Sequence, residues 1–272
     1  MSASNRSISL FVFAAGLGTR LRPATLHNPK PCIPLMQIPL GYYFWPYLEY
    51  LKIDQFIANT FYLPEQIKSL YKKINSNFLF SDETDFIKGS AGGLRQADYL
   101  LKNTTDTLAV NADEIFFTNE HQFLFNAWNV HQSNDSLATL IVTTHPEAGH
   151  KFGAIWINAN GFVKHIGKDN PVDPELKPMH FIGLQILNNL IIKDIPKDKE
   201  TNIFYDVLIN YLNDNKVKAY TINCDWYEVG NTNDYHLAKT EIAKKLSTSS
   251  VYQIHIDKLR QLPCSNLSDL SQ

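Results

Sequence analysis

Ala14-Ala15-Gly16-Leu17-Gly18-Thr19-Arg20-Leu21-Arg22-Pro23, followed by Pro29-Lys30-Pro31, is the stretch on which the reading of this chain turns. An apolar run, Leu10 to Phe13, delivers two glycines, two arginines and a lysine held between prolines. The run reads as a buried strand ending in a phosphate-binding loop that starts at Ala14 and Ala15 and passes through Thr19. Gly16 and Gly18 let bare backbone N–H groups approach phosphate oxygens without Cβ interference. Arg20 and Lys30 supply neutralising charge, and Pro29 and Pro31 stiffen the backbone around the lysine. Arg22 is read as solvating the loop mouth. This is chemistry suited to a nucleoside triphosphate. A dinucleotide fingerprint is a poor fit, because Leu21 stands where its third glycine belongs. A Walker A loop is a poor fit too, because Gly-Lys-Ser/Thr is absent.

Outward from the loop, apolar runs alternate with amphipathic stretches. Helices are expected over Tyr42 to Leu51 and from Pro64, where Ile67, Leu70, Tyr71 and Ile74 keep helical spacing. Further helices are expected at the end of Gly89 to Leu101, around Leu124, Ala127, Trp128 and His131, and over Tyr205 to Leu212. Strands are expected at Gln55 to Asn59, Phe78 to Phe80, Thr107 to Val110, Leu137 to Thr143, Phe181 to Leu187 and Val217 to Ile222. Phe152 to Ile157 and Phe162 to Ile166 flank Asn158-Ala159-Asn160-Gly161, a hairpin signal. The pattern predicts an α/β fold: a Rossmann-like mixed, mostly parallel sheet flanked by helices. Ligands of such sheets lie beyond the carboxyl ends of the strands, so the Gly16 loop and Asp113 are expected to share one crevice. The main domain is assigned to residues 1–240, and 241–272, polar and Ser-rich, to a helical tail.

The chain has 272 residues, 44% hydrophobic and 19% charged, with a formal net charge of −2. That balance points away from a nucleic-acid surface or a polybasic membrane patch, and no apolar run reaches the ~18 residues of a membrane helix. Arg6 followed by Ile8 to Leu17 has the outline of a signal peptide but no convincing cleavage site, so a buried first strand is preferred. Cys32, Cys224 and Cys264 are far apart, which points away from a disulfide framework or structural zinc and toward a reducing cytoplasm. His145-Pro146-Glu147-x-x-His150 is not a zinc motif, and its proline argues against a helix. Tyr42, Tyr43, Phe44, Trp45 and Tyr47 are read as core and helix-packing rings, with a homodimer face as the alternative.

The Gly-x-Gly-Thr-Arg-Leu-x-Pro-x-Thr run with Pro-Lys-Pro closely resembles the signature of the sugar-1-phosphate nucleotidyltransferases, the nucleoside-diphosphate-sugar pyrophosphorylases. The resemblance covers roughly Ser9 to Lys239 and is thinner from His145 to Pro178. Asn59-Thr60-x-Tyr62-Leu63-Pro64-Glu65-Gln66-Ile67 resembles the short bacterial branch. That branch includes N-acetylmuramate-1-phosphate uridylyltransferases and heptose- or mannose-1-phosphate guanylyltransferases. The resemblance implies condensation of a nucleoside triphosphate with a sugar-1-phosphate, releasing pyrophosphate, on a nucleotide-diphospho-sugar transferase type of fold. Two alternatives stay open: a phosphocholine-type cytidylyltransferase, and a catalytically weak nucleotide-sugar-binding regulator.

By the same resemblance, Arg20 would grip the β- and γ-phosphates and Lys30 would approach the α-phosphate. Asn111-Ala112-Asp113 is similar to the family's Asn-Gly-Asp, whose aspartate binds Mg²⁺. Trp226-Tyr227-Glu228-Val229-Gly230 resembles the segment carrying the second metal-binding carboxylate, with Glu228 in place of aspartate. Gly89-Ser90-Ala91-Gly92-Gly93-Leu94 resembles the segment that closes on base and ribose, so Gly89, Ser90 and Gly93 join Asn111 as nucleotide contacts. On the sugar-phosphate side, Gly153, Lys168 and Gly183 match family positions, while Gly167-Lys168-Asp169 lacks the glutamate of the family's Glu-Lys-Pro.

Overall fold

The computed structural model describes residues 6–263; Cys264 and the end of the expected tail, 264–272, lie outside them. The first part of the chain runs β1 (Ile8–Phe13), β2 (Pro34–Leu35), β3 (Ile38–Pro39), β4 (Ile53–Thr60), α1 (Pro64–Ile74), β5 (Leu79–Asp82), α2 (Gly89–Gln96), α3 (Asp98–Leu101), β6 (Asp106–Asn111), β7 (Ile115–Phe117), α4 (Phe123–Ser133) and β8 (Ala138–Thr143). The second part runs β9 (Ala154–Ile157), β10 (Val163–Gly167), β11 (Lys177–Asn188), β12 (Val217–Thr221), β13 (Asp225–Tyr227), α5 (Thr232–Leu246) and α6 (Ser250–Arg260).

β5, β4, β1 and β6 form a parallel core in that order. β11 continues it antiparallel to β6; β8 runs antiparallel to β11, and β12 parallel to β8. β11 is twelve residues long, so its first residues also pair with β9, which forms the hairpin with β10. The fold is α/β, a mixed sheet flanked by helices. β1 is buried on both faces, as a central parallel strand must be. Its Leu10 and Val12 join the apolar cluster on one side of the sheet and Phe11 the cluster on the other. α5 runs through residue 240, and α6 buries Tyr252, Ile256 and Leu259 in the same cluster as Leu10.

Several elements differ from the sequence expectation for identifiable reasons. Tyr42 to Leu51 is not one α-helix but two 3₁₀ turns, Leu40–Tyr42 and Trp45–Tyr50. Pro46 lacks the N–H a continuing helix would need. The hydroxyls of Tyr42, Tyr43 and Tyr47 also donate to distant carbonyls of Leu70, Leu35 and Phe116, which fixes each ring inward. Tyr205 to Leu212 is a π turn, Ile203–Val207, followed by a 3₁₀ turn, Leu208–Tyr211. The hairpin forms where expected, with Gly161 at φ +77° in its turn. No helix among the described residues is long and apolar enough to cross a membrane.

His255 ties α6 to the body. Its ring stacks on Tyr47 at 4.7 Å, and its Nε2–H donates to the Tyr43 carbonyl at 3.0 Å. Burial pushes its pKa from 6.5 down to about 3, so folding holds the ring neutral. The unfolded chain protonates it near 6.5. Its contribution is therefore intact above that pH and is lost as pH falls toward 3, by about 2 kcal/mol at pH 5. His255→Gln keeps a donor for the Tyr43 carbonyl but does not titrate. Urea midpoints measured at pH 7.5 and pH 5 should fall less for His255→Gln than for the wild type; equal falls would remove His255 from the account.

Candidate active site

The parallel register brings Phe13 level with Asn59 on β4 and with Asn111 on β6, so three strands end along one edge. Beyond Phe13 the backbone leaves the ladder. The Ala14 amide donates instead to Asn59 Oδ1 at 2.8 Å. Asn59 Nδ2 donates to Glu83 Oε1 at 2.7 Å, and Glu83 Oε2 accepts the Lys88 N–H at 2.7 Å, just ahead of α2. Burial raises the Glu83 pKa, opposed by the hydrogen bonds from Lys88 and Asn59. A Cβ on Gly93 would fall 2.7 Å from Asn59 Nδ2 and 2.9 Å from Glu83 Oε1, so α2 approaches this node only through a glycine.

The loop after Ala15 folds back on itself. Gly18 takes φ +61°, its carbonyl accepts the Thr25 hydroxyl at 2.8 Å, and a Cβ there would fall 3.2 Å from Lys30 Cβ. Buried Pro29 and Pro31 flank Lys30, whose ammonium forms a short ion pair with Asp113 Oδ2. A cleft of about 230 Å³ results. It is lined by Ala14, Gly16, Gly18, Thr19, Arg20, Lys30, Asp113 and Gly230.

Gly230 reaches the cleft because β13 pairs antiparallel with β7, setting Tyr227 opposite Ile115 and Trp226 opposite Phe116. The chain following β6 and the chain following β13 are thereby brought side by side. A Cβ on Gly230 would lie 2.1 Å from Glu228 Oε1 and 3.0 Å from Arg20 Nη1. Glu228 and Arg20 thus share the space in front of Gly230.

The remaining candidates sit further out. Ala15 is buried behind the loop. Gly89, at φ +73°, packs on the Thr201 carbonyl, and Ser90 Oγ accepts the Ile203 N–H at 2.9 Å. Both are occupied with the 201–203 segment, and neither lines the cleft. Asn111 Nδ2 donates to Glu114 Oε1 at 2.9 Å. Gly183, at φ +79°, has Glu114 against it: a Cβ would fall 2.0 Å from Glu114 Cγ. Gly153 and Lys168 are exposed and do not line the cleft; the nearest atom to a Gly153 Cβ would be Tyr205 Oη, at 3.8 Å.

Glu114 was not singled out by motif. Its second oxygen, Oε2, accepts the Trp226 indole N–H at 2.8 Å. Burial, with the adjacent Asp113 carboxylate adding to it, pushes its pKa up to about 7. Trp226 in turn packs at 4.1 Å on His180, 5.4 Å on Phe152 and 5.8 Å on His145. His180 is buried with neither ring nitrogen hydrogen-bonded. Burial lowers its pKa to about 4, so the ring is neutral at pH 7. An acidic residue directly after Asp113 was the one available sequence signal for Glu114. Asn59 opened a segment picked out by resemblance, with no role attached to it, and Glu83 gave no signal at all.

With this geometry in view, the comparisons are specific. The Nucleotidyl transferase family matches residues 10–245, and the chain belongs to that family. A UTP–glucose-1-phosphate uridylyltransferase of Synechocystis sp. is 28% identical over 238 residues, covering 82% of this chain and 60% of that protein. Mannose-1-phosphate guanyltransferase 2 of Candida glabrata is 29% identical over 260 residues, covering 88% of this chain and 68% of that protein. The crystal structure of HddC from Yersinia pseudotuberculosis shares the fold, with a TM-score of 0.67 at 23% identity over 86% of this chain and 98% of that one.

Asn59→Ala should strip the Ala14 N–H and Glu83 of their buried partners and lower stability by about 2–3 kcal/mol. Urea denaturation measures this; a loss under about 0.5 kcal/mol would mean that water or a shifted backbone satisfies the node.

Proposed function

We propose that the chain transfers a nucleotidyl group from a nucleoside triphosphate to a sugar-1-phosphate, giving a nucleotide sugar and pyrophosphate. One observation carries this reading: Arg20, Lys30 and Asp113 line a single cleft at the carboxyl ends of parallel strands, with Glu228 against its Gly230 wall. The chain spans 60% of the length of the Synechocystis uridylyltransferase. The activity and the classes of its two substrates are therefore proposed from the chemistry of the site.

The nucleophile, a phosphate oxygen of the acceptor, is already ionised at neutral pH and needs no general base. It forms a bond to the α-phosphorus as the bond from that phosphorus to the bridging oxygen breaks, and the electron pair leaves with pyrophosphate. Arg20 is the group proposed to hold the departing β- and γ-phosphates. Lys30, oriented by its two prolines, is proposed to hold the α-phosphoryl oxygens. Such pre-aligned cations stabilise charge as it develops.

The donor set fits a magnesium ion that draws its other ligands from phosphate. No three of His, Cys, Asp and Glu among the described residues are placed to hold a metal alone. Asp113 and Glu228 each present one carboxylate at or beside the cleft. When bound, Mg²⁺ would neutralise phosphate charge. Ala14, Gly16, Gly18, Thr19 and Arg20 are proposed as the triphosphate side. Gly183, Glu114 and Trp226 are proposed as the acceptor side, with the Glu114 carboxylate accepting from a sugar hydroxyl. The dispersed cysteines support a reducing cytoplasm as the place of action.

Pyrophosphate release with Mg²⁺, across four nucleoside triphosphates and a panel of sugar-1-phosphates plus phosphocholine, tests the reading. A sugar-1-phosphate as the preferred acceptor is expected; phosphocholine alone, or nucleotide binding without turnover, would overturn it. Arg20→Ala should lower kcat roughly 10²–10³-fold with unchanged thermal stability. Glu114→Gln should raise KM for the acceptor about tenfold and leave KM for the nucleotide unchanged; the opposite split would move Glu114 to the nucleotide side.

A further inference from the structure

On the far side of α2 lies a second cavity, of about 320 Å³, which the reaction described above does not use. Its wall carries five cations, Lys88, Arg95, Lys102, Lys197 and Lys199, against two carboxylates, Asp98 and Asp198. The chain as a whole has a net charge of −2, so this is a local reversal of sign. Arg95 is paired with Asp98 at 3.2 Å, and the Lys88 ammonium lies 4.2 Å over the Phe86 ring. Lys102, Lys197 and Lys199 make no ion pair among the described residues. Five cations against two carboxylates leave the concavity net positive, and an anion between the lysines relieves their repulsion. The volume exceeds what a lone phosphate needs and lies within the range of small-molecule pockets. Tyr99 adds a half-exposed ring to the same wall.

The two walls belong to segments locked together by Thr201. Arg95 is on α2, and Lys102 follows α3. Lys197 and Lys199 belong to the segment leading into Thr201. The Thr201 N–H donates to the Lys88 carbonyl at 2.9 Å, and its own carbonyl accepts the Ala91 N–H at 3.0 Å and the Gly92 N–H at 3.5 Å. That carbonyl therefore satisfies the otherwise unpaired amides at the start of α2. The Lys199 carbonyl would lie 3.2 Å from a Cβ on Gly92, so the segment rests directly on the helix. Gly89 and Ser90, which the sequence resemblance assigns to the base and ribose, stand at that same helix start although they do not line the cleft.

We propose that this cavity is a second ligand site for a small molecule carrying a di- or triphosphate, and that its occupancy alters nucleotide affinity in the main cleft. Phosphate oxygens bridging Lys197 and Lys199 to Arg95 and Lys102 tighten the hold of the 196–201 segment on α2 and stiffen the helix start. Coupling of this kind is reciprocal: the cavity ligand and the nucleotide change each other's affinity by the same factor. The binding half stands on the cavity alone. The coupling half rests on the nucleotide reading of α2.

Inorganic tripolyphosphate is the probe, titrated calorimetrically into the whole chain. Two sites are expected in the wild type. Arg20→Ala should weaken one of them, and the double variant Lys102→Glu/Lys199→Glu should abolish the other. Both variants change exposed side chains, and unchanged melting curves establish that they fold. A single wild-type site that Arg20→Ala removes, or two sites that both survive in the double variant, would overturn the proposal. With turnover measured, the probe bound at the cavity should change KM for the nucleotide at least threefold in the wild type and not in the double variant. Binding that is lost in the double variant but leaves KM unmoved keeps the site and refutes the coupling. Binding in a chain that releases no pyrophosphate counts against the main-cleft reading and not against the cavity.

Discussion

Where β1 ends, a buried amide has to find an acceptor outside the ladder, and much of the nucleotide side is arranged around how it does so. Asn59, level with Phe13 on the neighbouring strand, gives the Ala14 N–H its side-chain oxygen. Its amide then has two hydrogens to place, and Glu83 accepts one. Glu83 is itself buried and needs donors for its other oxygen, which the Lys88 N–H provides. Each group exists to satisfy the one before it, since an unpaired polar group at this depth costs a few kcal/mol. The loop, β4 and the start of α2 thereby become one unit. The same node accounts for Gly93 without any ligand: the space a Cβ would need is filled from behind by Asn59 and Glu83.

Charge in the cleft is balanced before anything enters. Lys30 is paired with Asp113, and Arg20 shares the front of Gly230 with Glu228. A triphosphate competes with Asp113 for Lys30 and enters the space that Arg20 and Glu228 share. It leaves Asp113 and Glu228 facing added negative charge, which is the electrostatic reason for proposing that a divalent cation enters with it. Mutual pairing in the free protein keeps Lys30 extended toward the cleft, at a side-chain exposure of 13%. Little rotamer freedom then remains to be lost on binding.

The sequence made the parallel core and the glycine loop after β1 legible because both depend on local signals: apolar runs of strand length, glycines between strand and cation, prolines around a lysine. Pro64 marked the first residue of α1 for the same reason. What it hid depends on contacts distant in sequence. Tyr42 to Tyr47 have helix-like spacing, yet hydroxyl bonds to Leu70, Leu35 and Phe116 decide their conformation. The pairing of β7 with β13 joins residues more than a hundred positions apart through three-residue strands, too short for periodicity to reveal. That pairing places Trp226 on Glu114, a contact invisible to motif reading. Gly183 was found by resemblance, but its reason, the Glu114 side chain against its Cα, appears only in three dimensions.

The cleft and the ring cluster around Trp226 are built by different means. The cleft is held by backbone hydrogen bonds and by glycine and proline geometry, which few substitutions can reproduce. The ring cluster is held by side chains packed on side chains: four rings, His145, Phe152, His180 and Trp226, at centroid separations of 4.1 to 5.8 Å. His180 keeps both ring nitrogens without partners, a cost that its neutral state lowers but does not remove. Packing of this kind can be exchanged ring by ring without disturbing the sheet beneath it. On the function proposed above, such an arrangement would hold the phosphate chemistry constant while the acceptor changes, because the residues proposed for the acceptor side are not those that fix the strand ends.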